Sequence, residues 1–301
     1  MRYVFIFNPA AGKRNPAEDY LDTIKSDCGA QGLNFACYVT KAPGHATELC
    51  RKEALRGEPV RIYGFGGDGT LNELAMGVQG ADHAEIGIFP CGSGNDYVRT
   101  FGESSSFLKL KNQLAGTSKR VDMIRSGERL SINLCSLGLD AAVAYHMVKF
   151  KKLPLVSGYM AYDLSLIKCL LSKLGCEMEI VIDGQKRIDG NFLFALAGSG
   201  QYYGGGYRGA PKAVPDDGLL DFVLIRKMGR LRLARQLGEY KAGGHPESPH
   251  FSDLLIYERG KKLELTAKKP AVANFDGECQ FVQQVSFEVV PHAVRFIVPK
   301  K

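Results

Sequence analysis

The sequence predicts an α/β domain on a mostly parallel sheet, followed by an antiparallel β-sandwich domain. Three observations carry that reading. Compact apolar runs alternate with helical stretches through the first third of the 301 residues. Short, turn-bounded strands dominate from Cys176 onward. Glycine-rich or small-residue loops directly follow several of the early apolar runs, as they do where a parallel sheet binds ligands.

Taken in order, Tyr3–Asn8 is a buried-strand run, followed by a loop to Asn15 and a helix from Pro16 to about Ala30. Asn34–Thr40 is a second strand, Gly44–Arg56 a helix and Val60–Phe65 a third strand. A helix runs from Leu71, and Ile86–Phe89 is a fourth strand. This βαβα rhythm suits a sheet covered on both faces. It changes near Asp122. Arg129–Ser136 reads as one strand, and Asp140–Lys152 and Ser157–Leu174 as helices. The second of these repeats Met160, Leu164, Ile167, Leu171 and Leu174 at three- and four-residue steps. Strands then follow at Cys176–Ile182, Gly190–Ala197, Leu219–Ile225, Leu263–Thr266 and Phe281–Val289. Asp183-Gly184 reads as a plain turn, and one basic helix lies near Gly229–Ala242. The division falls at 1–124 and 125–292, with a strand at about 293–301 returning to the first domain.

Composition narrows the function classes. A chain 45% hydrophobic and 24% charged is globular. Its formal charge of +7 suits anionic substrates or an anionic membrane face, but the basic residues are scattered and form no nucleic-acid-binding signature. The 8 cysteines include no C-x-x-C pair and the chain opens on a strand-like run, so reduced thiols and a cytoplasmic setting are expected. No uncharged apolar stretch reaches the ~18 residues of a membrane span. Contact with lipid is therefore expected to be peripheral.

The strongest local pattern is Gly66-Gly67-Asp68-Gly69-Thr70-Leu71-Asn72-Glu73, placed between a strand and a helix. Glycines there let backbone N–H groups approach a polyanion, and the helix end adds its dipole. The carboxylate of Asp68 would repel bare phosphate and makes sense with a metal ion between them. A second loop, Pro90-Cys91-Gly92-Ser93-Gly94-Asn95-Asp96, follows the next strand, where Asn95 and Asp96 also read as a plain helix cap. A third, Asn8-Pro9-Ala10-Ala11-Gly12-Lys13, follows the first strand and lacks the spacing of a Walker A loop. All three are expected to converge at one sheet edge. Near the other end stands Phe275-Asp276-Gly277-Glu278. Its two carboxylates share a face if the segment is extended and diverge if Asp-Gly is a turn.

In order and spacing, these strings resemble the diacylglycerol kinase catalytic-domain family, which includes bacterial lipid kinases and sphingosine kinases and is distantly related to NAD kinases. The segment Ala210–Asp221 (APKAVPDDGLLD) and the Asp276-Gly277-Glu278 string extend the resemblance nearly end to end. It implies a Rossmann-like nucleotide-binding domain, a β-sandwich lipid domain and an active site in the cleft between them. It implies ATP and Mg²⁺ as cofactors and a lipid hydroxyl as acceptor. Asn8, Pro9, Ala10, Ala11, Gly12, Thr40, Gly66 through Glu73, Ser93 and Asn95 match the nucleotide-binding positions. Asp217, with the carbonyls of Val214 and Leu219, matches a Mg²⁺ site linked through water to Asp68, Asp96 and Asp122. Phosphoryl transfer to an alcohol needs a group that accepts the proton. The resemblance gives that role to Asp276 or Glu278 without choosing, with Asp68 also catalytic. Ser93 stands where the family commonly has Thr, which keeps the hydroxyl. A homodimer is common in the family.

An NAD-kinase-like phosphotransferase shares the GGDG string, and a non-catalytic nucleotide- or lipid-sensing module also fits the motifs. The lipid itself is open among diacylglycerol, monoacylglycerol, sphingoid and polyprenol types. Lys227–Lys241 sets Arg230, Arg232 and Arg235 among Leu231, Leu233 and Leu237. It reads either as a membrane-surface helix or as a core-facing helix with solvated charges.

Overall fold

The computed structural model describes residues 1–12, 14–150, 158–172 and 174–300. Lys13, the expected helix start at Ser157 with the rest of 151–157, and Lys173 lie outside the described residues. The chain forms two compact units, residues 1–122 with 291–301, and residues 123–290.

In the first unit, β1 (Arg2–Phe7), α1 (Pro16–Ala30), β2 (Phe35–Val39), α2 (His45–Ala54), β3 (Val60–Gly66), α3 (Asp68–Val78) and β4 (Ala84–Pro90) alternate, followed by the short α4 (Asp96–Arg99) and α5 (Leu110–Leu114). The strands are parallel in the order β2-β1-β3-β4. β3 and β4 are buried almost throughout, so both faces of the sheet are covered and the runs are apolar rather than alternating. Phe7, Phe65 and Phe89 stack across three neighbouring strands, with centroids 4.4 and 4.1 Å apart. Asn15 caps α1 by accepting the Ala17 N–H, with a proline in the first turn. Gln113, fully buried, donates to the Ile88 and Phe107 carbonyls at 2.7 and 3.0 Å and ties the later segment to β4.

The chain leaves this unit in β5 (Thr117–Ser126). It continues through β6 (Arg129–Ser131), β7 (Leu134–Gly138), α6 (Leu139–Phe150), α7 (Gly158–Leu171), β8 (Cys176–Ile182), β9 (Lys186–Gly198) and β10 (Leu220–Arg226). Then come α8 (Arg230–Ala242), β11 (Leu255–Gly260), β12 (Lys262–Phe275) and β13 (Glu278–Val298). The named pairings within the second unit are antiparallel. β9 and β12 each pair with both β7 and β8, so the sheet folds back on itself around a core that includes Ile180, Phe192, Phe222, Leu263 and Phe287. The last stretch of β13 belongs to the first unit, where Arg295 and Phe296 lie parallel to Glu85 and Ile86 of β4.

Three expectations are corrected. The helix expected from Leu71 begins at Asp68, so Asp68, Gly69 and Thr70 form its first turn. The single strand expected over Arg129–Ser136 is broken between β6 and β7, where backbone N–H groups turn to a side chain described below. The short Leu263–Thr266 strand is the start of the 14-residue β12, whose Lys268-Lys269-Pro270 interruption is a bulge with a register shift rather than an end. Of the apolar repeat Met160, Leu164, Ile167, Leu171 and Leu174, the first four are exposed and Leu174 is buried, as are Ser165 and Cys169. β5 and β11 were not among the expected strands.

Candidate active site

The three small-residue loops meet in the first unit. Asn8 N–H donates to the Phe65 carbonyl at 3.0 Å and Cys91 N–H to the Gly66 carbonyl at 2.8 Å, extending the sheet into the loops. Asn8 Nδ2 donates to Thr70 Oγ1 at 3.0 Å, and its Oδ1 accepts the Ala10 N–H. The glycines are needed by contact. A Cβ on Gly92 would lie 2.5 Å from the Cα of Gly67, and one on Gly12, whose φ is +76°, would lie 2.5 Å from the Cys91 carbonyl oxygen.

Gly67 is the N-cap of α3, so the N–H groups of the first turn, from Asp68 onward, open toward this loop cluster. Asn8, Pro9, Ala10, Thr40, Thr70 and Glu73 line one pocket of about 250 Å³. Lys41, Ala42, Pro43 and Ala46 complete it and were not singled out from sequence. Their signal was available, since Lys41-Ala42-Pro43 leaves β2 at the same sheet edge as the other loops.

Other expected binding residues shape the site instead. Leu71 is buried. The Glu73 carboxylate accepts the Ala46 N–H at 3.1 Å and its carbonyl accepts the Thr47 hydroxyl, which fixes the start of α2. Asn95, at φ 53°, accepts the Gly92 N–H and donates to the Pro90 and Gly92 carbonyls, so it holds the loop bend. Ala11 is buried, Asn72 Nδ2 lies 3.7 Å from Met76 Sδ, and Ser93 is exposed at the loop tip.

The carboxylates divide by what they hold. Asp68 Oδ1 accepts the Asp96 and Tyr97 N–H groups at 2.8 and 3.1 Å. Asp68 Oδ2 and Asp96 Oδ2 flank Gly94, 3.0 and 3.1 Å from where a Cβ would stand. Two acidic oxygens bordering a space left open by glycine suit a hydrated Mg²⁺. Asp122 is fully buried and accepts the His292 N–H at 2.7 Å, so its carboxylate anchors the returning chain.

In the second unit, Asp276 and Gly277 have φ of 48° and 98° and form the β12–β13 turn. Asp276 Oδ2 accepts the N–H groups of Ile132 and Asn133 at 2.6 and 3.0 Å, and Oδ1 accepts that of Leu134 at 2.8 Å. These bonds separate β6 from β7. Glu278 points elsewhere, 79% exposed and 3.1 Å from Arg129 Nη1. The two carboxylates therefore diverge.

The expected metal site does not present a metal-ready acid. Asp217 Oδ1 accepts the Leu219 N–H at 3.1 Å and Oδ2 is paired with Arg259, whose guanidinium also faces Asp221. A fixed cation already neutralises the one carboxylate that Val214, Asp217 and Leu219 would contribute, so these residues do not fit a resident Mg²⁺. No cluster of three or more His, Cys, Asp or Glu with metal-holding geometry occurs among the described residues.

Sequence reasoning missed a second cavity. It lies among α6, α7, α8, β9 and β10, occupies about 50 Å³ and is lined by Val143, Leu166, Leu193, Phe194, Met228 and Leu237, with Asp140 and Gln236 among its polar members. The Asp140 oxygens are shut off from water, and burial pushes the carboxyl up to about 6.

Comparison with known proteins adds to this geometry. The diacylglycerol kinase catalytic domain model matches residues 2–126, and the YegS C-terminal NAD kinase beta sandwich-like domain model matches residues 133–298. A diacylglycerol kinase of Bacillus subtilis (strain 168) is 26% identical over 299 residues, covering 98% of this chain and 96% of its own length. One from Staphylococcus carnosus (strain TM300) is 28% identical over 277 residues, covering 91% and 87%. A solved structure of a putative diacylglycerol kinase from Bacillus anthracis str. Sterne superposes with a TM-score of 0.75 at 21% identity, covering 98% of this chain and 95% of that one. An NAD kinase from Archaeoglobus fulgidus in complex with ATP gives 0.51 at 15% identity, over 100% and 95%. Both structures share the fold.

Gly92→Ala is expected to force the two glycine loops apart and weaken ATP binding about tenfold or more, roughly 1.4 kcal/mol, in titration calorimetry. Gly29→Ala, where a Cβ meets nothing within 4 Å, is the control. Asp140 gives a pH-dependent outcome. Its folded pKa exceeds the unfolded value, so its contribution to stability falls as pH rises from about 4 to 6. Asp140→Asn should melt at a higher temperature than the parent at pH 8, the gap closing toward pH 4; an equal melting temperature at pH 8 would contradict this.

Proposed function

Since the chain belongs to the diacylglycerol kinase catalytic-domain family, and so is a phosphotransferase acting on an alcohol, we propose that it transfers the γ-phosphate of ATP, accompanied by Mg²⁺, to the hydroxyl of a diacylglycerol-like lipid. The observation that carries the nucleotide half is the glycine-to-glycine contact of the loops beside the 250 Å³ pocket.

In this reading the phosphates lie against the first-turn N–H groups of α3 and the backbone of the glycine loops, with Lys41 supplying a cation from the pocket wall. Asp68 and Asp96 would hold the Mg²⁺ that arrives with the nucleotide, an ion that neutralises charge on the phosphates. Asp68 is kept in one orientation by the two N–H groups it accepts. Glu278 is the proton acceptor of the pair, because its oxygens are exposed and Arg129 orients them. Asp276 is a positioning residue, its oxygens spent on the backbone before β7. The apolar cavity favours a lipid over a dinucleotide as acceptor, since a polar dinucleotide would leave its hydrogen-bonding groups unmet there.

Lipid substrates sit in membranes, and no helix among the described residues is long and apolar enough to cross one. α7 exposes Met160, Leu164, Ile167 and Leu171, and α8 exposes Leu231. Arg230 donates to the Leu170 and Ser172 carbonyls, which brings the start of α8 against the end of α7. We propose that this apolar strip, with Lys168 and Arg235 on the same two helices, seats the protein peripherally on an anionic bilayer at the cytoplasmic face.

The test is phosphate transfer from labelled ATP to a diacylglycerol dispersion or to NAD. Label in the lipid supports the reading, and label only in NAD overturns it. Glu278→Gln should lower kcat at least 100-fold at unchanged melting temperature, whereas Asp276→Asn should lower the melting temperature as well. Equal activity of Glu278→Gln and the parent would remove Glu278 from the mechanism. Ile167→Glu with Leu171→Glu should abolish sedimentation with anionic vesicles, and binding unaffected by these changes or by 0.5 M salt (about 4 Å of screening length) would refute docking by this strip.

A further inference from the structure

The outer side of α7 and α8 carries cations that no described carboxylate neutralises. On α7 Lys168 is exposed with Leu164, Ile167 and Leu171, and on α8 Arg230 and Arg235 are exposed with Leu231. Lys227, exposed just before α8, lays its side chain against Gly175, where a Cβ would stand 2.8 Å from its Cδ. Arg230 spends Nε and Nη2 on the Leu170 and Ser172 carbonyls. Two cationic side chains are thus held near the end of α7, where Leu171 is 76% exposed. None of these four cations forms an ion pair with a described residue, whereas Arg232 on the same helix is paired with Asp253. The exposed positions described on α7 and α8 include no carboxylate. The bland reading is a solvated face that keeps the protein in solution. Such a face mixes both signs of charge and avoids clustered large apolar side chains. This one does neither.

The reaction proposed above changes the charge of the surface that this face would meet. A diacylglycerol-like acceptor is uncharged. When its hydroxyl oxygen bonds to the γ-phosphorus, the bond from that phosphorus to the bridging oxygen breaks and ADP leaves. The hydroxyl proton passes to the acceptor carboxylate. The lipid that remains in the bilayer is a phosphomonoester, with a charge of about −1.5 to −2 at pH 7. An ordinary phosphodiester lipid carries a single charge. We propose that the anion this face recognises is the reaction's own product, so that each turnover charges the membrane beneath the protein and strengthens its docking. Phosphorylation on a neutral bilayer is then self-accelerating. The step rests on the lipid-kinase and bilayer-docking readings, and it adds to them a partner and a regulation. Each Lys or Arg near an anionic surface tightens association roughly fivefold, so four of them amplify a small amount of product. The apolar side chains among them supply the weak first contact with an uncharged bilayer. Lys227 and Arg230 suit the phosphate itself, since the Lys227 ammonium and Arg230 Nη1 keep donors without a described partner.

The experiment follows phosphate transfer from labelled ATP with Mg²⁺ to diacylglycerol in vesicles of zwitterionic phospholipid, from the first turnovers onward. The rate is expected to rise at least fivefold before depletion of the acceptor slows it. Vesicles preloaded with the phosphomonoester product should show no lag and should bind the protein at least tenfold more tightly in sedimentation. Raising the salt should remove that gain, because screening shortens its reach. Vesicles with an equal mole fraction of an anionic phosphodiester lipid should give a smaller gain. Lys227→Glu with Arg235→Glu, both at exposed positions, should reduce the acceleration to less than twofold at an unchanged melting temperature. A linear or slowing progress curve on neutral vesicles, or sedimentation indifferent to product, overturns this inference and leaves the lipid-kinase reading standing. So does a phosphodiester lipid that matches the product mole for mole, or an acceleration that survives both substitutions. Transfer to no lipid overturns both.

Discussion

The nucleotide half of the molecule depends on one contact, the passage of the Gly67 and Gly92 backbones against each other. Parallel strands deliver their loops to the same edge of a sheet, but loops with side chains would stand apart there. Without Cβ atoms the loops after β3 and β4 touch at the main chain, and Gly12 lets the loop after β1 close onto Cys91. The rest follows from that closeness. Asn8 reaches Thr70, Asn95 stitches the second loop to itself, and Asp68 reaches across to cap α4. A polyanion then meets converging N–H groups held by a rigid frame, where little reorganisation is needed when charge moves.

Much of this was legible in the sequence because it is written in residue types with few alternatives. Glycine strings after apolar runs specify backbone approach, and the runs on both sides specify the sheet. Carboxylates were less legible, since an Asp in a motif looks alike whether it faces a ligand or the main chain. Asp183 and Asp276 make the point. Both precede glycine, both have positive φ, and both accept neighbouring backbone N–H groups, Asp183 from Lys261 and Lys262 and Asp276 from Ile132, Asn133 and Leu134. The sequence context separates a plain turn from a catalytic string, yet the geometry makes them the same device. What differs at the second turn is Glu278, which stays exposed.

Asp217 shows the same limit from the other side. The segment around it matches a metal-binding pattern, but Arg259 lies on a strand 42 positions away and nothing local announces that pairing. A guanidinium supplies the positive charge that the loop's acid requires, and it does so with fixed, directional donors. Long-range partners of this kind decide the chemistry of an acid, and periodicity and spacing carry no information about them.

Helices α7 and α8 resist the usual reading of amphipathicity for a related reason. Periodic apolar residues normally mark the face that packs inward. On α7 the repeat of Met160, Leu164, Ile167 and Leu171 faces out, while the buried side presents Ser165, Cys169 and, toward the cavity, Leu166. On α8 Leu233 and Leu237 line the cavity while Leu231 is exposed. A helix apolar on both sides is expensive to leave in water, since each exposed Leu or Ile forgoes about 1.5–3 kcal/mol of burial. The arrangement becomes consistent if the outer side has its own apolar partner, and a protein whose acceptor resides in a bilayer has that partner wherever its substrate is. On the proposed docking to a bilayer, the outer side of these two helices meets lipid while their inner side lines the apolar cavity, one helix thickness away.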